Sequence, residues 1–367
     1  MRISISTVQL QEMVSRAVKG AGMNKLIPIT SLMAVRVADH RLTLITTDAS
    51  NTLYVSHATD AQDFYCVVEV EQFSKLISKM TCETTMLELD GGILTVKGNG
   101  TYKIELPPDV TGGTIVYPDP ILEDKNPRTD LGTFKLSDVK TILNTCKASL
   151  AVDSDDEIYT GYYVGDRVVA TDAYQICSLD VNLFCNADRA FLIPPELMSL
   201  LDVMKTEKIQ AFTSGDVLIF KSVGDESDSC DIYGYQMSGV DDYEIEGLGK
   251  LIEEDFESSC KVSKGDMLSL LERIALFVDK YDERMIMLTF TDAGIDVSSK
   301  KSSGVETIPY ISSEHSKPYT CPIDIDVLTT QIKASSADSL TIQYGNERSI
   351  KLVNENVTQV IALFESK

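Results

Sequence analysis

The sequence predicts an α+β protein built by tandem repetition, and three observations predict it. Six amphipathic stretches with helical periodicity recur about every 60 residues along the 367-residue chain. Runs that read as β-hairpins fill the intervals between them. The hairpin turns fall into two families, each recurring after about 126 residues, so a unit of helix plus β segments occurs six times and pairs into three tandem domains.

In chain order, the first helix carries Leu10, Met13, Val14, Ala17 and Val18 on one face, and the second Phe73, Leu76, Ile77 and Met80. The third presents Val139, Ile142, Leu143 and Cys146. The fourth opens at Pro194–Pro195, residues suited to a first turn, and continues through Leu197, Leu200, Leu201 and Met204. The fifth has Met267, Leu270, Leu271, Ile274 and Val278, and the sixth, less regular, has Ile325, Leu328 and Ile332. One family of hairpins spans 33–47, 161–171 and 285–299. The other turns at Asp90–Gly91–Gly92, Ser214–Gly215–Asp216 and Gly345–Asn346. The tripeptide Thr-Asp-Ala occurs at 47–49, 171–173 and 291–293. The first two copies follow the second strand of their hairpins, whereas the third falls in the turn itself and is out of register. Pro, Gly and acidic residues collect at 119–132 and 247–259, which read as linkers and divide the chain into domains 1–122, 123–250 and 251–367.

Composition narrows the class. Hydrophobic content of 43% with 24% charged residues fits a globular chain with ample core. No apolar run is long enough to span a bilayer, and the opening MRISISTVQLQEM lacks the basic and apolar regions of a signal peptide, so a cytoplasmic protein with no membrane partner is expected. The eight cysteines include no Cys-x-x-Cys pair and read as reduced thiols; His40, His57 and His315 stand far apart. No phosphate-loop, dinucleotide-binding, nucleophile-elbow or zinc-protease motif is present, and the acidic run 153–157 reads as a solvated loop, so no catalytic residue, metal site or cofactor is expected. The net charge of −23 argues against nucleic acid as a general partner. Yet the six helical windows are close to neutral, and the acid sits on strands and loops. If the helices faced one side of an assembly, that side could tolerate phosphate.

Several segments resemble the bacterial sliding clamp, the β subunit of DNA polymerase III. LIPITSLMAVRVADHRLTLITTD (26–48) is similar to the family's "LPIL…L…TD" stretch, with Pro28 and Asp48 in place. YTGYYVGDRVVATDAYQICSL (159–179) resembles its "T-G…V-A-T-D-G-H-R-L" segment, VDDYEI (240–245) its "F-P-D-Y" motif, and the closing VIALFESK its apolar last strand and tail. The resemblance runs over the whole chain, in order.

That resemblance implies three clamp domains in a crescent protomer, two of which close head to tail into a ring around double-stranded DNA, with helices lining the hole. Lys and Arg on those helices would meet phosphates without reading bases. The candidates are Arg16, Lys19, Lys75, Lys79, Lys140, Lys147, Lys205, Lys208 and Arg273, with Lys25 in a loop where the family usually has arginine. The family's apolar pocket takes short motifs from the polymerase α subunit, the clamp loader and repair factors. Carried over, its walls would be Tyr159, Thr171, Ala173, Tyr174, Gln175, Ile176, Asp241, Ile245, Val360, Ala362, Leu363 and Phe364. At the homodimer junction, Leu276 and Phe277 would meet the region of Phe73 and Ile104. The chain departs from the pattern where Gly-His-Arg becomes Ala173–Tyr174–Gln175, where Pro becomes Asp241, and where Pro and Arg of the tail become Leu363 and Glu365. A divergent clamp with its own partner preference is expected, as a non-catalytic processivity factor. The alternative is a structural or adaptor protein that reuses the fold without DNA.

Overall fold

The structure, a computed structural model, describes residues 1–24, 26–152, 156–224, 227–278, 284–300, 304–314 and 318–364. It divides into two compact units: Met1–Val139 with Phe184–Ala187 and Glu196–Gln236, and Lys140–Leu183 with Asp188–Pro195 and Met237–Lys367. The middle third of the sequence contributes to both, because its strands complete sheets begun by the first and last thirds.

Over the first third run β1 (Arg2–Ser6), α1 (Thr7–Ala17), β2 (Leu32–Ala38), β3 (Arg41–Thr47), β4 (Asn51–Ala58), β5 (Phe64–Glu69), α2 (Val70–Ser78), β6 (Thr84–Asp90), β7 (Ile93–Lys97) and β8 (Thr101–Glu105). Then come α3 (Pro120–Glu123), β9 (Thr129–Lys135), α4 (Leu136–Thr145), β10 (Tyr162–Val164), β11 (Val168–Thr171), β12 (Gln175–Leu179), β13 (Phe191–Ile193), α5 (Pro195–Leu201), β14 (Lys208–Ser214), β15 (Val217–Val223), β16 (Asp228–Tyr235) and α6 (Ile245–Glu253). The last third has β17 (Ser258–Ser263), α7 (Lys264–Ala275), β18 (Met285–Phe290), β19 (Gly294–Ser299), β20 (Val305–Pro309), β21 (Ser312–Glu314), β22 (Tyr319–Asp324), α8 (Ile325–Ala334), β23 (Ser339–Tyr344), β24 (Ser349–Asn354) and β25 (Val357–Ala362).

All six expected helices are present, each opening within a residue or so of the end of a strand. The side chain of Ser263 accepts from the Asp266 amide at the start of α7, and that of Asp324 from Asp326 and Val327 at the start of α8; these caps satisfy amides the helix itself cannot. In the first unit α1 buries Leu10, Met13, Val14 and Ala17 and packs beside α2 and against β3 and β4. That unit holds a four-stranded sheet β1-β6-β7-β8 and an eight-stranded sheet β5-β2-β3-β4-β16-β15-β14-β9. The second unit holds a nine-stranded sheet β13-β10-β11-β12-β25-β24-β23-β17-β21 and a four-stranded sheet β20-β19-β18-β22, with α7 beside α8. Its core around Ile274, Phe290, Leu328 and Ile342 includes the stacked rings of Phe290 and Tyr344, with centroids 3.7 Å apart. Among the described residues every ladder is antiparallel.

The repeat is visible atom by atom in two turns. After β3, Thr47 Oγ1 donates to the Asn51 carbonyl at 2.6 Å and accepts from the Ala49 amide at 3.1 Å, while Asp48 Oδ1 accepts from Ser50 and Asn51. After β11, Thr171 Oγ1 donates to the Gln175 carbonyl at 2.7 Å and accepts from Ala173 at 3.1 Å, while Asp172 Oδ1 accepts from Tyr174 and Gln175. Ala49 and Ala173 both stand in the left-handed region, at φ 85° and 75°. The third Thr-Asp-Ala lies between the first and second strands of its meander, β18 and β19, rather than between the second and third, as its register implied. A left-handed alanine costs about 1–2 kcal/mol, and glycine there returns part of this as unfolded-chain entropy. Both methyls are exposed. Ala49→Gly and Ala173→Gly are each expected to raise stability by about 0.5 kcal/mol in urea titration; a loss would show that the methyls pack.

One sequence expectation fails. The stretch 247–259, read as a linker, is mostly the helix α6 followed by the start of β17. Glycines at 247 and 249 and a cluster of acids masked an apolar spacing of Ile245, Leu248 and Ile252 that one face of the helix uses.

Candidate functional site

Within the second unit, Val169, Ile176, Leu192, Tyr243, Ile252 and Val360 form a small buried cluster, separate from the larger core of that unit. Half-buried Ile158, Tyr159, Tyr163, Met237, Val240, Ile245 and Leu248 pack around it and carry its apolar character to the surface. Its floor is the junction of β12 and β25, where Ile176 pairs directly with Val360. Tyr243 is the central wedge, stacked on Tyr163 at 5.0 Å and edge-on to Tyr159 at 5.5 Å. Gly161 allows the close fit beneath: a Cβ there would lie 2.5 Å from Met237 Sδ.

Helix α6 is fixed over this cluster by an interior lysine. Lys351 of β24 is 3% exposed and donates to the Ile252 carbonyl at 2.9 Å and to that of Glu254, with its ammonium 4.9 Å from the Phe256 ring centre. It therefore caps the free carbonyls at the end of α6. Burial lowers its pKa, against the opposing pull of Glu254 and Asp255.

On the other side of β12 and β25 runs a buried amide network. Gln331 Nε2 of α8 donates to Gln175 Oε1 at 2.6 Å and to Ser149 Oγ at 2.8 Å, and Gln359 Nε2 donates to Gln331 Oε1 at 2.6 Å. Gln175 Nε2 donates in turn to Asp172 Oδ2 at 2.7 Å and to the Ala148 carbonyl.

The expected pocket residues therefore divide. Tyr159, Ile176, Ile245 and Val360 meet in the cluster. Thr171 and Gln175 are buried in the turn and the amide network. Ala173, Asp241 and Ala362 are exposed, as is Tyr174 at 76%. Leu363 is a correction: it packs against the larger core, because its amide continues pairing with Arg348 and keeps the chain on that face. Phe364 is half-buried, with its amide on the Pro322 carbonyl. Glu365 lies outside the described residues. Tyr243, Tyr163, Met237 and the face of α6 were missed; the neighbouring tyrosines in "VDDYEI" and "TGYYV" were the signal that could have found two of them.

The basic candidates divide as well. Lys19, Lys75, Lys79, Lys140 and Lys147 are exposed on or just beyond α1, α2 and α4, Lys75 in an ion pair with Glu71 one turn earlier. Arg16 is a correction: it is buried, and its Nε donates to the Val203 carbonyl at 3.1 Å, so its charge serves the carbonyl end of the segment after α5. Lys205 is exposed and pairs with Glu12 at 2.8 Å. Because α5 ends at Leu201, Lys205 lies beyond the helix and Lys208 opens strand β14. Arg273 holds Glu306 through both Nε and a terminal nitrogen, which draws the Glu306 carboxyl below its usual range. Lys25 lies outside the described residues.

For the junction, Leu276 and Phe277 are 82% and 54% exposed at the end of α7. Phe73 and Ile104 are core side chains of the first unit, at 0% and 3% exposed. Phe73 lies on the buried face of α2 with Ile77, and alternation along β8 turns Ile104 inward. Among the described residues, no cluster of three or more His, Cys, Asp or Glu could hold a metal ion, and no helix is long and apolar enough to cross a membrane.

Six-fold repetition of helix and β meander, with helices against antiparallel sheets, is the α+β fold of the DNA clamp. In particular, the whole chain superposes on bacterial DNA polymerase III β subunits. It is similar to the β subunit from Streptococcus pyogenes (TM-score 0.84, 16% identity), the sliding clamp from Bacillus subtilis (0.81, 14%) and the β subunit from Pseudomonas aeruginosa (0.81, 11%), each covering 100% of both chains. No family model and no curated protein matches the sequence.

Proposed function

We propose that the chain is a non-catalytic sliding clamp of three domains, 1–122, 123–250 and 251–367, that closes head to tail as a cytoplasmic homodimer around double-stranded DNA. It tethers the replicative polymerase, the clamp loader and other DNA-processing proteins through the apolar cluster of β12, β25 and α6.

The observation that carries this reading is a pair of sheet edges. Each of the six repeats contains a three-stranded antiparallel meander, ending in β4, β8, β12, β16, β20 or β25. β4, the last strand of one such meander, joins β16, and β12 joins β25. Among the described residues, two strands of the same kind, β20 and β8, lack such a join, each at the edge of a four-stranded sheet. A second copy supplies the missing join at both ends, and closure removes edges that would otherwise pair at random. In both existing joins the first residue of one strand faces the next-to-last of the other: Asn51 faces Gly234, and Gln175 faces Ile361. Carried to β20 and β8, a join that keeps paired residues on one face sets outward-facing Val305 among outward-facing Thr101 and Lys103, while Glu306 stays with Arg273 on the helix side. Ile104 thus takes part through its backbone, while its side chain stays in the core. Leu276 and Phe277 after α7 and Val305 on β20 are exposed apolar side chains, as is Tyr102 on β8.

The double variant Leu276→Asp/Phe277→Asp is expected to weaken the dimer about 100-fold, since two central apolar anchors are worth about 3 kcal/mol together. Sedimentation equilibrium across a concentration series reads this directly. A wild-type chain that stays monomeric, or a variant that dimerises equally well, overturns the junction. For DNA, the exposed Lys19, Lys75, Lys79, Lys140 and Lys147 supply phosphate contacts that hold without specifying sequence.

A further inference from the structure

We propose that the apolar surface on β10, β12, β25 and α6 takes a peptide carrying arginine or lysine beside its apolar anchors. The proposal rests on the reading of this surface as a peptide-docking site and names the chemistry of its partner.

The surface is aromatic and acidic at once. Tyr159 and Tyr163 are half-buried against Tyr243 and present the rest of their rings outward. Around them, Asp241, Asp242 and Glu244 are exposed on the segment that leads into α6 and Glu246 in its first turn, and among the described residues none has a cationic partner. Carboxylates reach the tyrosines themselves. Burial first, then Glu244 and Asp156, raise the Tyr159 hydroxyl, and burial followed by Asp166 does the same at Tyr163. The cations nearby do not balance this: Arg167 is held by Glu253 at 3.0 Å, Lys351 is interior, and Lys250 is the remaining basic residue of α6.

Tyrosine faces beside carboxylates suit a guanidinium or ammonium group, which gains from the ring quadrupole and from the negative field together. A peptide with acidic flanks would meet like charge at Asp241, Asp242, Glu244 and Glu246, against one exposed cation, Lys250 of α6. The apolar cluster supplies the anchor site, and the rim sets the sign of the flanks.

The test uses the full-length chain and three fluorescent peptides. They share one core of two leucines and a phenylalanine and differ only in flanking Arg/Lys, Ser or Glu. The basic peptide is expected to bind about tenfold more tightly than the acidic one. Asp241→Asn/Glu244→Gln/Glu246→Gln should abolish that preference. Asp60→Asn/Asp63→Asn/Asp90→Asn, which removes equal charge from exposed sites in the first unit, should leave it intact. Equal binding of all three peptides overturns the proposal while the docking surface stands, and so does an equal effect of the remote variant, which would mean attraction to overall charge. Binding of none overturns the docking surface and this proposal with it.

Discussion

Gln331→Leu is expected to destabilise the second unit by about 3 kcal/mol. The side chain is fully buried and joins three elements: its Nε2 serves Gln175 Oε1 on β12 and Ser149 Oγ, and its Oε1 receives Gln359 Nε2 from β25. Leucine fills a similar volume and strands those partners. A buried polar group left unmatched costs about 1–3 kcal/mol, and Gln359 keeps only its weaker bond to the Gln331 carbonyl. In a unit of this size the change corresponds to a fall in Tm of about 10 °C. Lys333→Leu, two residues on and exposed, is the control and is expected to change stability by less than about 0.5 kcal/mol. Calorimetry that finds the two variants alike would show that the network is not formed.

Tyr243 gives the second large effect, and its two substitutions should move in opposite directions. Tyr243→Ala removes a ring packed against Tyr159 and Tyr163 and is expected to cost about 3–5 kcal/mol, together with the apolar peptide surface. Tyr243→Phe keeps the ring and removes a hydroxyl that is buried without a hydrogen-bond partner among the described residues. That hydroxyl's pKa is driven upward, chiefly by burial. Losing it is expected to stabilise by about 1 kcal/mol, because an unmatched polar group is then no longer desolvated. Urea titration followed by a probe in the second unit distinguishes the two, and a destabilised Tyr243→Phe would show that the hydroxyl is satisfied.

The fold was legible in the sequence because its signals are periodic. Helix faces such as Leu10, Met13, Val14 and Ala17 repeat at the helical interval, and the hairpin turns fall where Gly and Asp cluster. Joins between meanders were not legible, since nothing in β4 or β12 says which distant strand it meets. The site was legible in part. Ile176 and Val360 came from resemblance and do meet, whereas α6 was hidden by glycines and acids. The buried glutamines left a signal that can be read in retrospect: Gln331 falls on the helix face of Ile325, Leu328 and Ile332, and Gln359 alternates in phase with Val357 and Ile361. Arg16 misled because charge does not reveal burial, and only the Val203 carbonyl explains where it points.

The most direct test of the clamp reading is topological. In a chain with exposed Cys185 replaced by serine, Thr101→Cys and Val305→Cys stand on the same face of the two edge strands at the proposed junction, and oxidation with a circular plasmid present would lock the ring. The cross-linked protein should then co-elute with the circle in about 1 M salt, where charge contacts are screened, and be released when the plasmid is cut once. Protein that is never retained on the circle, or that stays equally on the linear form, would contradict the account.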